Sequence, residues 1–134
     1  MSRQRLDPYT VLTAKAATGA SLAFFSGDHR HQTFQVTAPL NTSLTFKFVA
    51  SNSKEAPDFT AAQSETNVYD FVEVIDLQDH SAIDGDTGIT LDNTTAAVNV
   101  RRYEVNDNNP RWVGIVVSAY TDGSLSATLD LVND

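Results

Sequence analysis

The stretch Asp84-Gly85-Asp86-Thr87-Gly88 is where residue types and spacing invite a metal. Two carboxylates at i and i+2 open a calcium loop, because alternate side chains can converge on one hard cation. The match ends there: Gly88 stands where a third oxygen ligand belongs, and Thr95 where a bidentate acid would be. Asp84 and Asp86 are thus incomplete metal candidates, and the preferred reading is a tight turn whose Asp side chains accept backbone N–H groups, with no cofactor. Asp28, His29, His31 and the distant His80 include zinc-type ligands, but in an extended segment His29 and His31 point to opposite faces. Asp70, Glu73 and Asp76 raise the question of paired carboxylates for glycoside hydrolysis. Asp70 and Asp76 would share a face yet lie far apart along one strand, so a solvated strand face is expected. Ser, His and Asp occur without a nucleophile elbow. No catalytic residue emerges, and the chain is not read as an enzyme. Trp112, Tyr120, Tyr103 and Tyr69 could line a sugar-stacking platform; core or interface packing is the preferred reading, with Trp112 and Tyr120 as interface candidates. Asn41-Thr42-Ser43 and Asn93-Thr94-Thr95 match the N-glycosylation pattern and are read as chance.

The elements that must carry these residues are strands. Residues 125–131 alternate strictly, with Leu125, Ala127, Leu129 and Leu131 on one face and Ser126, Thr128 and Asp130 on the other, the period of a half-buried strand. The preceding arm places Val113, Ile115, Val117 and Ala119 on its apolar face, and Thr121-Asp122-Gly123 lies between the two. A hairpin with this three-residue loop would set Ala119 opposite Leu125, Val117 opposite Ala127 and Ile115 opposite Leu129. Gly123 would then sit at positive φ, which glycine adopts without steric cost. Further strands are expected at 9–17 (with a helix as the alternative), 21–25, 31–38, 43–50, 68–76, 89–91 and 97–105. Residues 43–50 carry Leu44, Phe46, Phe48 and Ala50 at period two, and 68–76 are apolar on parts of both faces, hence central. Residues 51–67 are weakly patterned, with one helical turn at 59–63 capped by Asp58. Residues 79–88 and 106–110 read as loops. About seven to nine short strands without an amphipathic helix predict an all-β, single-domain antiparallel β-sandwich, jelly-roll or Ig-like, over 9–134. Residues 1–8 form an N-terminal arm.

Composition narrows the partners. The 134 residues suit one domain and one core. A net charge of −8 with nine dispersed Lys and Arg argues against a nucleic-acid surface, which needs clustered basic groups. The acidity is read as serving solubility. Cysteine is absent, so disulfides and thiolate zinc sites are excluded. No run approaches a membrane span, and the N-terminal segment has two arginines but no apolar core of a leader, so no membrane partner is expected.

Several segments resemble a family of small β-sandwich proteins encoded among phage and prophage structural genes. They are Thr10-Val11-Leu12-Thr13-Ala14, Ala17-Thr18-Gly19-Ala20, His31-Gln32-Thr33-Phe34-Gln35-Val36 and Leu44-Thr45-Phe46-Lys47-Phe48-Val49-Ala50-Ser51-Asn52. The middle adds Pro57-Asp58-Phe59, Tyr69 through Leu77 and Ile83-Asp84-Gly85-Asp86-Thr87-Gly88; the end adds Tyr103-Glu104-Val105-Asn106 and Trp112 through the last strand. Tyr69 stands where such proteins are expected to carry Trp, and the turn at 106–110 is longer. The resemblance implies a virion structural component, a head decoration or cement protein or a tail accessory, made in the host cytoplasm, without catalytic residues to carry over. Its expected partners are copies of itself and a major capsid or tail protein. Arg3 and Arg5 of the arm join Trp112 and Tyr120 as interface residues, since a basic arm suits a neighbour's acidic body. A carbohydrate-binding, adhesin-like module and an extracellular filament subunit joined by strand addition are the alternatives.

Overall fold

The computed structural model describes residues 7–107 and 109–133. Among the described residues twelve strands are present: β1 Tyr9–Lys15, β2 Gly19–Ala20, β3 Phe24–Phe25, β4 His31–Pro39, β5 Thr42–Ser51, β6 Asp70–Phe71, β7 Val74–Asp76, β8 Ala82–Ile83, β9 Ile89–Asn93, β10 Val98–Val105, β11 Trp112–Asp122 and β12 Leu125–Val132. They form two antiparallel sheets. The first has the order β1-β12-β4-β10-β7-β8; the second has β2-β11-β5-β6, with β3 also beside β11 and β9 also beside β5. The first strand thus pairs with the last (β1 with β12). The second region, β2 and β3, pairs with the strand before the last, β4 pairs with β10, and β5 pairs with β9. A chain folded back on itself and wrapped in this way is a jelly roll, with β6–β8 inserted between its fourth and fifth strands.

The apolar faces meet between the sheets. Phe34, Val36 and Ala38 of β4 and Leu125, Ala127, Leu129 and Leu131 of β12 face Leu44, Phe46, Phe48 and Ala50 of β5 and Val113, Ile115 and Val117 of β11, all buried. At the centre Phe34, Phe46, Phe48 and Tyr103 pack ring to ring, with centroids 4.9–6.0 Å apart. Each such side chain removed from water contributes about 1.5–3 kcal/mol.

The expected hairpin is absent. β11 pairs with β5 and β12 with β4 and β1, so the chain crosses from one sheet to the other at Gly123. Two alternating arms satisfy their apolar faces equally well by meeting across a sandwich as by pairing edge to edge. Gly123 does have positive φ, +80°, at this crossing. The single strand expected at 68–76 is also divided: β6 lies in one sheet and β7 in the other, which is why both of its faces are partly apolar. Residues 9–15 form a strand, not a helix, and the turn at 59–63 is not helical. Instead the 52–69 segment covers the outside of the second sheet. Phe59, buried there, lies over Gly114, where an added Cβ would meet its ring at 2.7 Å. The Asn67 side chain staples this cover: its Oδ1 accepts from Asp58 N (2.8 Å), and its Nδ2 donates to the carbonyls of Asp58 (2.8 Å) and Ala62 (3.2 Å).

Candidate functional site

Among the residues considered for chemistry, Asp84 serves its own turn. Its Oδ2 accepts hydrogen bonds from Thr87 N (3.1 Å) and Thr87 Oγ1 (3.2 Å), while Gly88 N donates to Asp84 O (3.0 Å). The turn is pressed on the chain crossing at Phe71–Val72, where a Cβ on Gly85 would lie 2.5 Å from backbone atoms. Asp86 points to solvent. Among the described residues no three His, Asp or Glu side chains are placed to hold a metal ion. His31 Nδ1 donates to the Glu104 carboxylate at 2.7 Å, and His80 is exposed in a turn at φ +62°.

Asp70, Glu73 and Asp76 do not form the solvated strand face expected of them. Asp70 lies on β6 in the second sheet and Glu73 in the link, whereas Asp76 lies on β7 in the first sheet and is buried. The Asp76 carboxylate accepts from Gln78 N at 2.9 Å and has Arg101 Nε at 4.0 Å. Of the two glycosylation-type asparagines, Asn93 is buried and bonded to the backbone of Ala38, Pro39 and Ala96, a structural role. Asn41 is exposed in a turn.

The four aromatic residues do not share a platform. Tyr103 is in the core, where burial, with the Asp76 carboxylate second, pushes its phenol up to about 12. Tyr69 packs edge-on against Phe59 and Phe71 and donates its hydroxyl to Ala61 O. Tyr120, expected at an interface, is half-buried against the core. A bulge between Val117 and Ala119 reverses the alternation, so Ala119 is exposed and Tyr120 turns inward, its hydroxyl donating to Gly123 O at 2.8 Å. Trp112 remains at the surface, its Nε1 donating to Ser53 O at 2.9 Å. Arg3 and Arg5 lie outside the described residues.

What surrounds Trp112 is the candidate site. Phe25 pairs with Trp112 across β3 and β11, their rings edge to face at 5.3 Å. Phe24 turns toward the core and meets Tyr9 of β1 at 5.8 Å, at the edge where the two sheets approach. Leu22, in the link between β2 and β3, is 78% exposed, and Phe25 and Tyr9 are 45% and 43% exposed. These residues make an apolar and aromatic edge of the type that mediates contacts between proteins. The sequence signal was present in Phe24-Phe25: neighbours on a strand face opposite ways, so one of them had to point outward. A second feature is an open groove of about 480 Å³ beside Tyr69, lined also by Asp70, Phe71, Glu73, Asn52 and Asn106.

No protein-family model matches the chain, and no curated protein matches its sequence. The fold is similar to that in the crystal structure of the SPBc2 prophage-derived protein YomS. The TM-score is 0.62 at 15% sequence identity, covering 97% of this chain and 96% of that one. The likeness is one of fold over nearly the whole length of both chains.

Proposed function

We propose that the chain is a non-enzymatic phage structural subunit, a capsid decoration or cement protein or a tail accessory. It works by packing against copies of itself or against a major capsid or tail protein in the virion. The observation that carries this reading is the exposure of Tyr9, Leu22 and Phe25 near the partly buried Trp112, since exposed rings and a nearly bare leucine are costly in water unless a partner covers them. The jelly roll, an architecture common in viral shells, and the prophage origin of YomS support the phage assignment by analogy. The charge of −8 suits a subunit kept apart until it meets its docking surface.

The test is a Leu22→Ser/Phe25→Ser double variant, assayed by light scattering and by co-sedimentation with particles made without the protein. Binding should weaken by about tenfold or more, the loss expected of aromatic anchors. Association equal to that of the parent would remove this edge from the assembly. Carbohydrate binding is the second reading, favoured by the groove in which Tyr69 and Phe71 stand beside carboxylates and amides. Polysaccharide titration separates the two, because a glycan would perturb Tyr69 and leave the Trp112 edge unaffected.

A further inference from the structure

One strand edge is half covered. β10 pairs with β4 along seven positions, from Val98 to Glu104, but on its other side β7 reaches only Tyr103–Val105. One further bond, Leu77 N to Arg102 O at 3.0 Å, continues the ladder on that side. Because a strand's backbone groups alternate in direction, Val100 and Val98 present their N–H and C=O to the same open side as Arg102. Among the described residues no strand pairs there. The side chains of Val98 and Val100 are 55% and 50% exposed on the outer face. On the inner side the sandwich gapes into a cleft of about 230 Å³ between β10 and β9, with Ile83, Ile89, Leu91 and Tyr103 on its apolar side and Asp76, Asp92 and Arg101 among its polar lining. A groove of about 320 Å³ runs along the outer side past Leu77 and Arg102.

We infer that this edge accepts an extended segment of a partner protein as an added strand, one that alternates apolar and acidic side chains. The backbone of such a segment would bond the free N–H and C=O groups of Val98 and Val100. A small apolar side chain would meet the Ile83, Ile89 and Leu91 side of the cleft, where the carboxylates of Asp76 and Asp92 would repel an acidic one. Charge selects the rest of the partner. Arg101 and Arg102 are the only adjacent basic pair in a chain of net charge −8, and Arg102 is exposed beside the open edge. A carboxylate on the outer face of the incoming strand would meet it. The same charges disfavour a second copy: a twofold pairing centred on Val100 sets Arg102 opposite Val98 and brings two arginine pairs into one short ladder. They also disfavour the basic segment bearing Arg3 and Arg5 as the donor. The inference concerns a different surface from the Trp112 edge and stands without it.

The probes are two capped pentapeptides, Glu-Val-Glu-Val-Glu and Lys-Val-Lys-Val-Lys, added to the intact protein and followed by amide exchange and NMR shifts. The acidic peptide should slow exchange of the Val98 and Val100 amides by about tenfold at saturation and leave Trp112 unchanged, and the basic peptide should do neither. Val100→Pro removes an open-side N–H without touching the ladder to β4 and should abolish the effect. Arg102→Glu, an exposed change that leaves the backbone intact, should weaken acidic-peptide binding by about tenfold or more and serves if the proline variant does not fold. Equal binding of both peptides, no protection at millimolar acidic peptide, or insensitivity to Arg102→Glu would overturn the inference. Protection already present without peptide, together with a dimer mass, would assign the edge to a second copy and overturn it too.

Discussion

Gly123 shows how two independent constraints meet on one residue. Its φ of +80° strains any side chain, and a Cβ there would lie 2.2 Å from Thr42 Oγ1 and 2.5 Å from Thr42 Cα. Thr42 is fully buried at the start of β5, so moving it aside disturbs its packing. Gly123→Ala should therefore cost about 2–3 kcal/mol, more than the roughly 1 kcal/mol of conformational strain alone, and the urea midpoint measures it. A cost of only the smaller amount would mean that Thr42 moves. Tyr103 sets the alkaline limit. Its folded value near 12 lies above the ordinary 10, so its protonation favours the native state fully below pH 10. Between pH 10 and about 12 the unfolded chain loses the proton first and that stability declines. Thermal melts across this window should fall steadily in the parent and less steeply in Tyr103→Phe. On the acid side Asp58 and Asp79 have the opposite sign. The Thr60 and Ser81 hydroxyls, then their amides, hold these carboxylates below 3.8, so what they contribute is present above that pH and lost as pH falls through their lowered values.

At the scale of elements, the bulge at Ser118 shows what a sequence pattern cannot carry. Strict alternation puts Ala119 in the core and Tyr120 outside; one extra residue in β11 reverses them. Deleting Ser118 should remove the bulge and leave a regular strand in which Ala119 still faces out opposite Thr45 and Tyr120 still faces in opposite Leu44. The bond to Gly123 O should survive, at a cost of about 1 kcal/mol or less. Tyrosine near-ultraviolet dichroism should therefore be retained, and its loss would show that the bulge itself holds Tyr120 inward. Where a strand is buried on one face only, as in β4, β12 and the first part of β5 up to Phe48, the buried residues were legible because alternation follows directly from the pleat; Val49, buried on the other face, was not. The sheet to which β11 and β12 belong was not, since an apolar face specifies that it is covered but not by which strand. The short strands β2, β3, β6 and β8 have two residues each, too few for any period to register. Trp112 was singled out from the sequence, and Phe24-Phe25 carried a signal that one ring points outward; the exposure of Tyr9 and Leu22 was not legible, because it depends on where the sheets end.

For the whole molecule, the distribution of charge matters more than its total. Two of the nine basic residues, Arg3 and Arg5, precede the sandwich, and the body they leave is strongly acidic. If that segment lies on a neighbour's acidic surface, deleting residues 2–7 should leave the melting temperature nearly unchanged while weakening assembly. Added salt should weaken the parent's assembly more than the truncated protein's, because screening at 0.15 M already acts over about 8 Å. Indistinguishable assembly of the two across a salt series would leave the aromatic edge as the interface.

The pairing of β1 with β12 also has a consequence in time. The register places Tyr9 beside Leu129, and every other jelly-roll pair is nested inside that one. On a ribosome adding roughly 5–20 residues per second, β1 waits on the order of ten seconds for its neighbour to be made. Nested, non-local pairings place the chain among the slower two-state folders, in milliseconds to seconds once complete. The innermost pair, β5 with β9, can close first and the outermost last, so synthesis and folding run in opposite senses along the first half of the chain.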